Sequence, residues 1–220
     1  IRDRSPSRGL GDVYKRQNYD LSSKVLDQGI LRTSDKNAIW AKTKNLTFRG
    51  KYKEALENIA KNKSDFGSFL FNASVIPKEL PMAICYNGLG EKAKAENFFS
   101  IARKKMEQQV QLSPDDYRTH AGLGIVYSHI GLKKEAIREA KTALAILPPS
   151  KDSFFGVYQV LALAYVHMTL GDNNGALDQL ETVLNKFGGI TVKEIENFPE
   201  WKQLRKHPRF IQWKENSQQT

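Results

Sequence analysis

The sequence predicts an all-α fold, a solenoid of antiparallel helix pairs with a C-terminal capping helix. Three observations carry this. A glycine followed five residues later by an alanine recurs at Gly50/Ala55, Gly90/Ala95, Gly131/Ala136 and Gly171/Ala176, at intervals of 40, 41 and 40 residues. Such a period marks stacked supersecondary units. Around these glycines, apolar and small residues fall three and four apart, as on one face of a helix. The chain has 220 residues, 40% of them hydrophobic, enough for a core shared between neighbouring units.

Taken in chain order, residues 1–17 have no helical period and little apolar content, so the reading there is a disordered segment. This stretch resembles translated adapter sequence found at the ends of genes assembled from environmental reads and is expected to be non-native, so it is set aside from the fold; the alternative is a native flexible basic arm. From Tyr19, the string Leu21, Val25, Leu26, Ile30 and Leu31 reads as an amphipathic helix. Residues 18–36 are then the remnant second helix of a truncated unit, with Ser34-Asp35 capping the helix that carries Trp40. This makes the chain the expected C-terminal fragment of a longer protein. Residues 37–188 hold four units, and residues 189–220 form the capping segment.

The first unit places Thr43, Leu46, Gly50, Tyr52, Ala55 and Ile59 in the repeated positions. Between Asp65 and Pro81 the pattern breaks, and a short helix followed by a turn is expected, with Lys78-Glu79-Leu80 opening the second unit. That unit keeps Ala83, Tyr86, Gly90, Ala95, Phe99 and Ala102. Ser113-Pro114-Asp115-Asp116 reads as the next helix start, with serine as cap, proline at the first position and two acids in the first turn. The third unit is the cleanest. Leu123, Gly124 and Tyr127 share one helical face, and Ala136, Ala140 and Ala143 share the face of the helix after it. Gly124 and Ala136 let the two helices approach and Tyr127 fills the wedge, while Gly131 ends the first helix and Pro148 the second. The fourth unit keeps Leu163, Ala164, Gly171 and Ala176, with His167 in the tyrosine place.

This pattern resembles the tetratricopeptide repeat (TPR), a helix–turn–helix unit of about 34 residues. The excess of roughly six residues per unit falls to longer helices or connections. HEAT-type pairs, of similar length, lack the glycine and alanine pattern. The resemblance implies a right-handed superhelical solenoid, its first helices lining the inner surface. The tail carries a further resemblance. Leu147-Pro-Pro-Ser-Lys-Asp-Ser-Phe154, Phe187-Gly-Gly-Ile-Thr-Val192 and Trp201-Lys-Gln-Leu-Arg-Lys-His-Pro-Arg-Phe210 are similar to the C-terminal repeat region of multidomain bacterial regulators. Those proteins carry kinase, adenylate-cyclase-type or winged-helix output domains. Their ending places aspartates where this chain has Phe198 and Lys202, so the apolar anchors match and the acidic positions do not. Trp201, Leu204, Phe210 and Trp213 read as the hydrophobic closure that the last unit of a solenoid requires.

Composition excludes several function classes. The net charge of +10 is concentrated outside the repeats: residues 1–17 contribute +3, residues 201–215 contribute +4, and the remainder +3. Lys133, Lys134, Glu135, Arg138, Glu139 and Lys141 mix both signs, as solvated helix faces do, and no basic and aromatic motif joins them, so no nucleic-acid partner is expected. No apolar run reaches the roughly 18 residues of a membrane span. One cysteine, Cys85, rules out an internal disulfide, and its place beside Tyr86 suits a small buried side chain. His120 and His129 are nine residues apart, and neither they nor His167 and His207 show metal-site spacing. The glycines around Gly88 and Gly124 lack a preceding strand and the phosphate-loop spacing, and no nucleophile and base pair can be assembled. The chain is therefore read as non-enzymatic, with no cofactor and no metal.

The TPR resemblance implies a protein or peptide partner in the concave groove. In register, the groove positions are Trp40, Lys44, Thr47, Ile84, Asn87, Arg118, Ser128, His129, Tyr158, Tyr165 and Met168. Tyrosines and a methionine suit an apolar peptide or helix, and Lys44 and Arg118 could receive a carboxylate. The alternative is a structural spacer or dimerisation element, a homodimer included, that controls an N-terminal enzyme or DNA-binding domain. The cytoplasm is the default compartment, with the periplasm left open.

Overall fold

The computed structural model describes residues 36–68, 74–186 and 189–217. The expectations for residues 1–17 and for the helix at Leu21–Leu31 lie outside them. Four helix pairs follow one another: α1 (Lys36–Phe48) with α2 (Tyr52–Ala60), α3 (Glu79–Gly88) with α4 (Lys92–Leu112), α5 (Tyr117–His129) with α6 (Lys133–Ile146), and α7 (Phe155–Thr169) with α8 (Asn173–Val183). A short helix α9 (Val192–Asn197), a 3-10 segment (Pro199–Lys206) and α10 (Pro208–Ser217) follow among the described residues.

All four predicted turn glycines end a first helix in the left-handed region, with φ of +75°, +79°, +77° and +80° at Gly50, Gly90, Gly131 and Gly171. The hydrogen bonds repeat as well. The N–H after each glycine donates five residues back: Lys51 to Leu46, Glu91 to Tyr86, Leu132 to Tyr127 and Asp172 to His167. This is the Schellman arrangement, which satisfies carbonyls that a helix end leaves open. A Cβ at Gly90, Gly131 or Gly171 would meet nothing within 4 Å, so backbone conformation, not space, demands glycine there.

Gly124 answers a different need. A Cβ there would lie 3.0 Å from the Ala136 carbonyl oxygen and 3.3 Å from the Ala140 Cβ, and Ala136, Ala140 and Ala143 are fully buried. α5 and α6 therefore pack backbone to backbone. Tyr127, expected to fill the wedge within its own unit, also reaches back to α4, where its hydroxyl donates to Glu107 Oε1 at 2.8 Å.

Two expectations are corrected. Among the described residues between α2 and α3 an antiparallel ladder stands where a short helix was expected: β1 (Phe66–Ser68) pairs with β2 (Val75–Pro77), Gly67 opposite Ile76. β-branched Val75 and Ile76 before Pro77 favour extended backbone, and packing fixes the rest. Gly67 lies against the Trp40 ring, and the Val75 carbonyl oxygen lies where a Cβ of Gly122 would be, 2.0 Å away. α3 then opens at Glu79, as predicted. The helix expected at Ser113-Pro114 begins three residues later. Asp116 is its cap, accepting from the Arg118 N–H at 2.9 Å, while Ser113 ends α4. The extra length of the units lies in the 21-residue α4, the β ladder and the connection before α7.

Most of the core is one continuous cluster, from Trp40 and Ile59 in the first pair through Tyr165 to Trp201, Leu204 and Phe210. Solenoid repeats ordinarily touch only their neighbours. Here α1 also meets the 3-10 segment: Lys44 Nζ lies 4.0 Å from Glu200 Oε1, and the Phe48 ring stands edge-on to Tyr165 with centroids 6.2 Å apart. The superhelix curls tightly enough for its first pair to touch its last elements.

Candidate interaction face

The groove positions separate into two groups. Trp40, Thr47, Ser128, Tyr165 and Met168 are buried. Trp40 is covered by Gly67, and the Thr47 hydroxyl donates to the Thr43 carbonyl at 2.8 Å beside Cys85 Sγ. Burial pushes the Cys85 thiol pKa up, which keeps it protonated. Ser128 donates to the Ile125 carbonyl at 2.7 Å. Lys44, Ile84, His129 and Tyr158 are half-buried, and Asn87 and Arg118 are exposed. The Arg118 guanidinium is held by both oxygens of Asp116, at 3.0 and 2.8 Å, and that pairing draws the Asp116 carboxyl below its usual range.

At the centre of this face the aromatic rings form a chain. His129 stacks on Phe99 with centroids 6.1 Å apart and meets Tyr165, whose hydroxyl lies 3.4 Å from His129 Nε2. Tyr165 in turn stands edge-on to Trp201 at 6.3 Å. Burial pulls the His129 pKa down to about 4 and raises that of Tyr165, since apolar surroundings disfavour either charged form. Both rings are therefore neutral near pH 7.

The 3-10 segment packs against several of the positions expected to line a groove, Lys44, Tyr165 and Met168 among them. Trp201 is fully buried and Glu200 nearly so. Gln203 Nε2 donates to the Met168 carbonyl at 3.2 Å and to Asn173 Oδ1 at 3.0 Å. Arg209 on α10 pins this region to α8 through Asp178 and Glu181, at 2.6 and 2.8 Å. Sequence register assigned no groove role to Glu200 or Gln203, because they follow the last repeat and share no period with it. At the N-terminal end of α7, Phe154 and Phe155 are exposed and packed edge-on around Tyr158. Of the three, only Tyr158 falls in the repeat register.

The remaining histidines sit on local partners. His120 Nδ1 is 2.7 Å from Glu139 and its Nε2 is 2.8 Å from the Pro114 carbonyl. His167 Nδ1 lies 2.8 Å from Asp172, and His207 Nδ1 accepts from the Arg209 N–H. Among the described residues, no three His, Cys, Asp or Glu side chains converge as a metal would require, and no helix is long and apolar enough to cross a membrane.

No protein-family model matches the sequence, and no curated protein matches it either. Solved structures do. The crystal structure of TTC0263, a thermophilic TPR protein in Thermus thermophilus, aligns with a TM-score of 0.54 at 18% identity, over 94% of this chain and 96% of that one. That of MamA aligns over 100% of both chains at 12% identity, with a TM-score of 0.34. Together with the four matched helix pairs, the likeness to TTC0263 is one of fold: this chain has an all-α, TPR-like solenoid fold.

Proposed function

We propose that this chain is a non-catalytic protein-interaction module, a TPR array whose concave face takes a peptide or partner domain. We further propose that it is the C-terminal repeat region of a larger bacterial regulator, a reading that rests on the resemblance of its tail. The observation that carries the first proposal is the 3-10 segment. Trp201 against Tyr165, the Gln203 amide on a helix-end carbonyl and Glu200 facing Lys44 are contacts of the kind a bound segment makes in such a groove. A partner then competes with this segment, entering over the half-buried Ile84 and the exposed Asn87, which lie on the same register.

The test is a display library of bacterial peptides selected on the full chain, with affinities then measured on Ile84→Glu and Asn87→Arg. Selected peptides are expected to lose at least tenfold in affinity on one variant or both. Peptides indifferent to both would overturn the groove reading. A chain that selects no peptide but dimerises with rising concentration in light scattering would favour the spacer or dimerisation element instead. The contact of α1 with the 3-10 segment supports that second reading, because it ties the first described pair and the segment after the last pair into one body.

A further inference from the structure

We infer that the outward face of α6 is a docking surface for an acidic amphipathic helix of a protein partner. In sequence this helix mixes charges of both signs; in the fold they separate. Glu139 turns inward to His120 and is 8% exposed. Glu135 is half-buried and lies close enough to Arg103 on α4 to act on its charge. Lys133, Lys134, Arg138 and Lys141 are all exposed. Lys134, Arg138 and Lys141 stand at i, i+4 and i+7, one row along the helix.

These cations flank a shallow, open strip of α6 itself, whose narrow apolar floor is the half-buried Ile137 and the exposed Ala145. Arg138 shares one edge of its guanidinium with Glu139 at 3.0 Å but stays 66% exposed, and Lys133 lies near Asp172. On α4, Arg103 is neutralised by Glu107, and on α8 the carboxylates of Asp178 and Glu181 hold Arg209.

A row of cations beside a narrow apolar floor complements a helix with apolar residues on one edge and carboxylates flanking them. From Lys133 to Ala145 this strip spans roughly 18 Å at 1.5 Å per residue, the length of about three turns of a partner helix. The face carries no aromatic ring on which a base could stack, and its apolar floor is too small to enter a bilayer. Nucleic acid and membrane are therefore the weaker matches. This surface lies apart from the concave positions, so either can fail without the other.

The experiment uses the full chain and a fluorescein-labelled helical peptide of about 18 residues, with leucines at i, i+3, i+4 and i+7 spacing and glutamates around them. A twin peptide carries lysine for glutamate. Fluorescence anisotropy is expected to show the acidic peptide binding, the lysine twin not, and affinity falling with salt. The Lys134→Glu/Lys141→Glu double variant is expected to weaken binding at least tenfold while keeping the wild-type melting temperature and circular dichroism. Equal binding of the two peptides, or unchanged affinity in the double variant, would overturn the inference. So would a DNA duplex or phosphatidylglycerol vesicles that bind the same face more tightly than the acidic peptide.

Discussion

His129 shows how far a single residue's role depends on packing that lies beyond its own helix. Its sequence context, the end of α5 just before the turn glycine, marks a groove position. Its neighbours Phe99, from the preceding pair, and Tyr165, from the following one, make it an apolar stacking ring. The folded chain holds its pKa at about 4, whereas an unfolded chain takes up the proton near 6.5. Protonation therefore favours the unfolded state. This contribution to stability is complete above pH 6.5 and is lost as the pH falls from about 6.5 towards about 4. His129→Phe keeps a ring on Phe99 but has no proton to accept. Urea midpoints measured at pH 7, 5.5 and 4.5 are expected to fall less steeply for His129→Phe than for the wild type, and parallel curves would refute the assignment. The lowered carboxyls of Asp116 and Asp172 act in the same direction at lower pH, so the difference between the two proteins isolates the histidine.

At the scale of elements, the four helix pairs were legible because one local requirement repeats. A left-handed residue ends each first helix and small side chains line each contact, and both requirements are written in residue type at fixed spacing. Gly131 and Ala136 announce themselves without reference to any distant partner. The β ladder was not legible, since Phe66–Ser68 and Val75–Pro77 are too short to show a period and their conformation is set by surfaces far away in sequence. Gly67 requires Trp40 beneath it, and Val75 requires the bare backbone of Gly122. In an open helix, Gly122→Ala would stabilise by up to about 1 kcal/mol. Here the new methyl would occupy the place of the Val75 carbonyl, and a net loss of about 1–3 kcal/mol is expected from overpacking. Gly67→Ala is expected to cost a similar amount against the Trp40 ring, and the double variant less than the sum, because both undo the same docking. Urea denaturation of the three variants checks the sign and the non-additivity together. Stabilisation by Gly122→Ala would show that the ladder does not rest on α5.

At the scale of the whole molecule, repeat periodicity foretold a solenoid but not that its first described pair meets the segment after its last pair. Each unit is specified by nearest-neighbour packing, whereas the contact of Lys44 and Phe48 with Glu200 and Tyr165 depends on curvature accumulated over all four pairs. Aromatic anchors at Trp201 and Phe210 signalled a cap; nothing local signalled that the cap would reach α1. The contact changes how the chain should unfold. An open array frays from its ends, with terminal repeats exchanging amides independently of distant ones. A closed one couples them. Trp201→Ala is expected to cost about 3–5 kcal/mol, as a fully buried aromatic truncated to a methyl does. Because Trp201 supports Tyr165, and Tyr165 supports Phe48, the loss should reach the first pair. In hydrogen exchange under native conditions, amides of α1 should speed up in step with those of α7, although the substitution lies more than 150 residues later in sequence than α1. If α7 loses protection while α1 keeps its own, the array behaves as an open solenoid and the closure contributes nothing to its cooperativity.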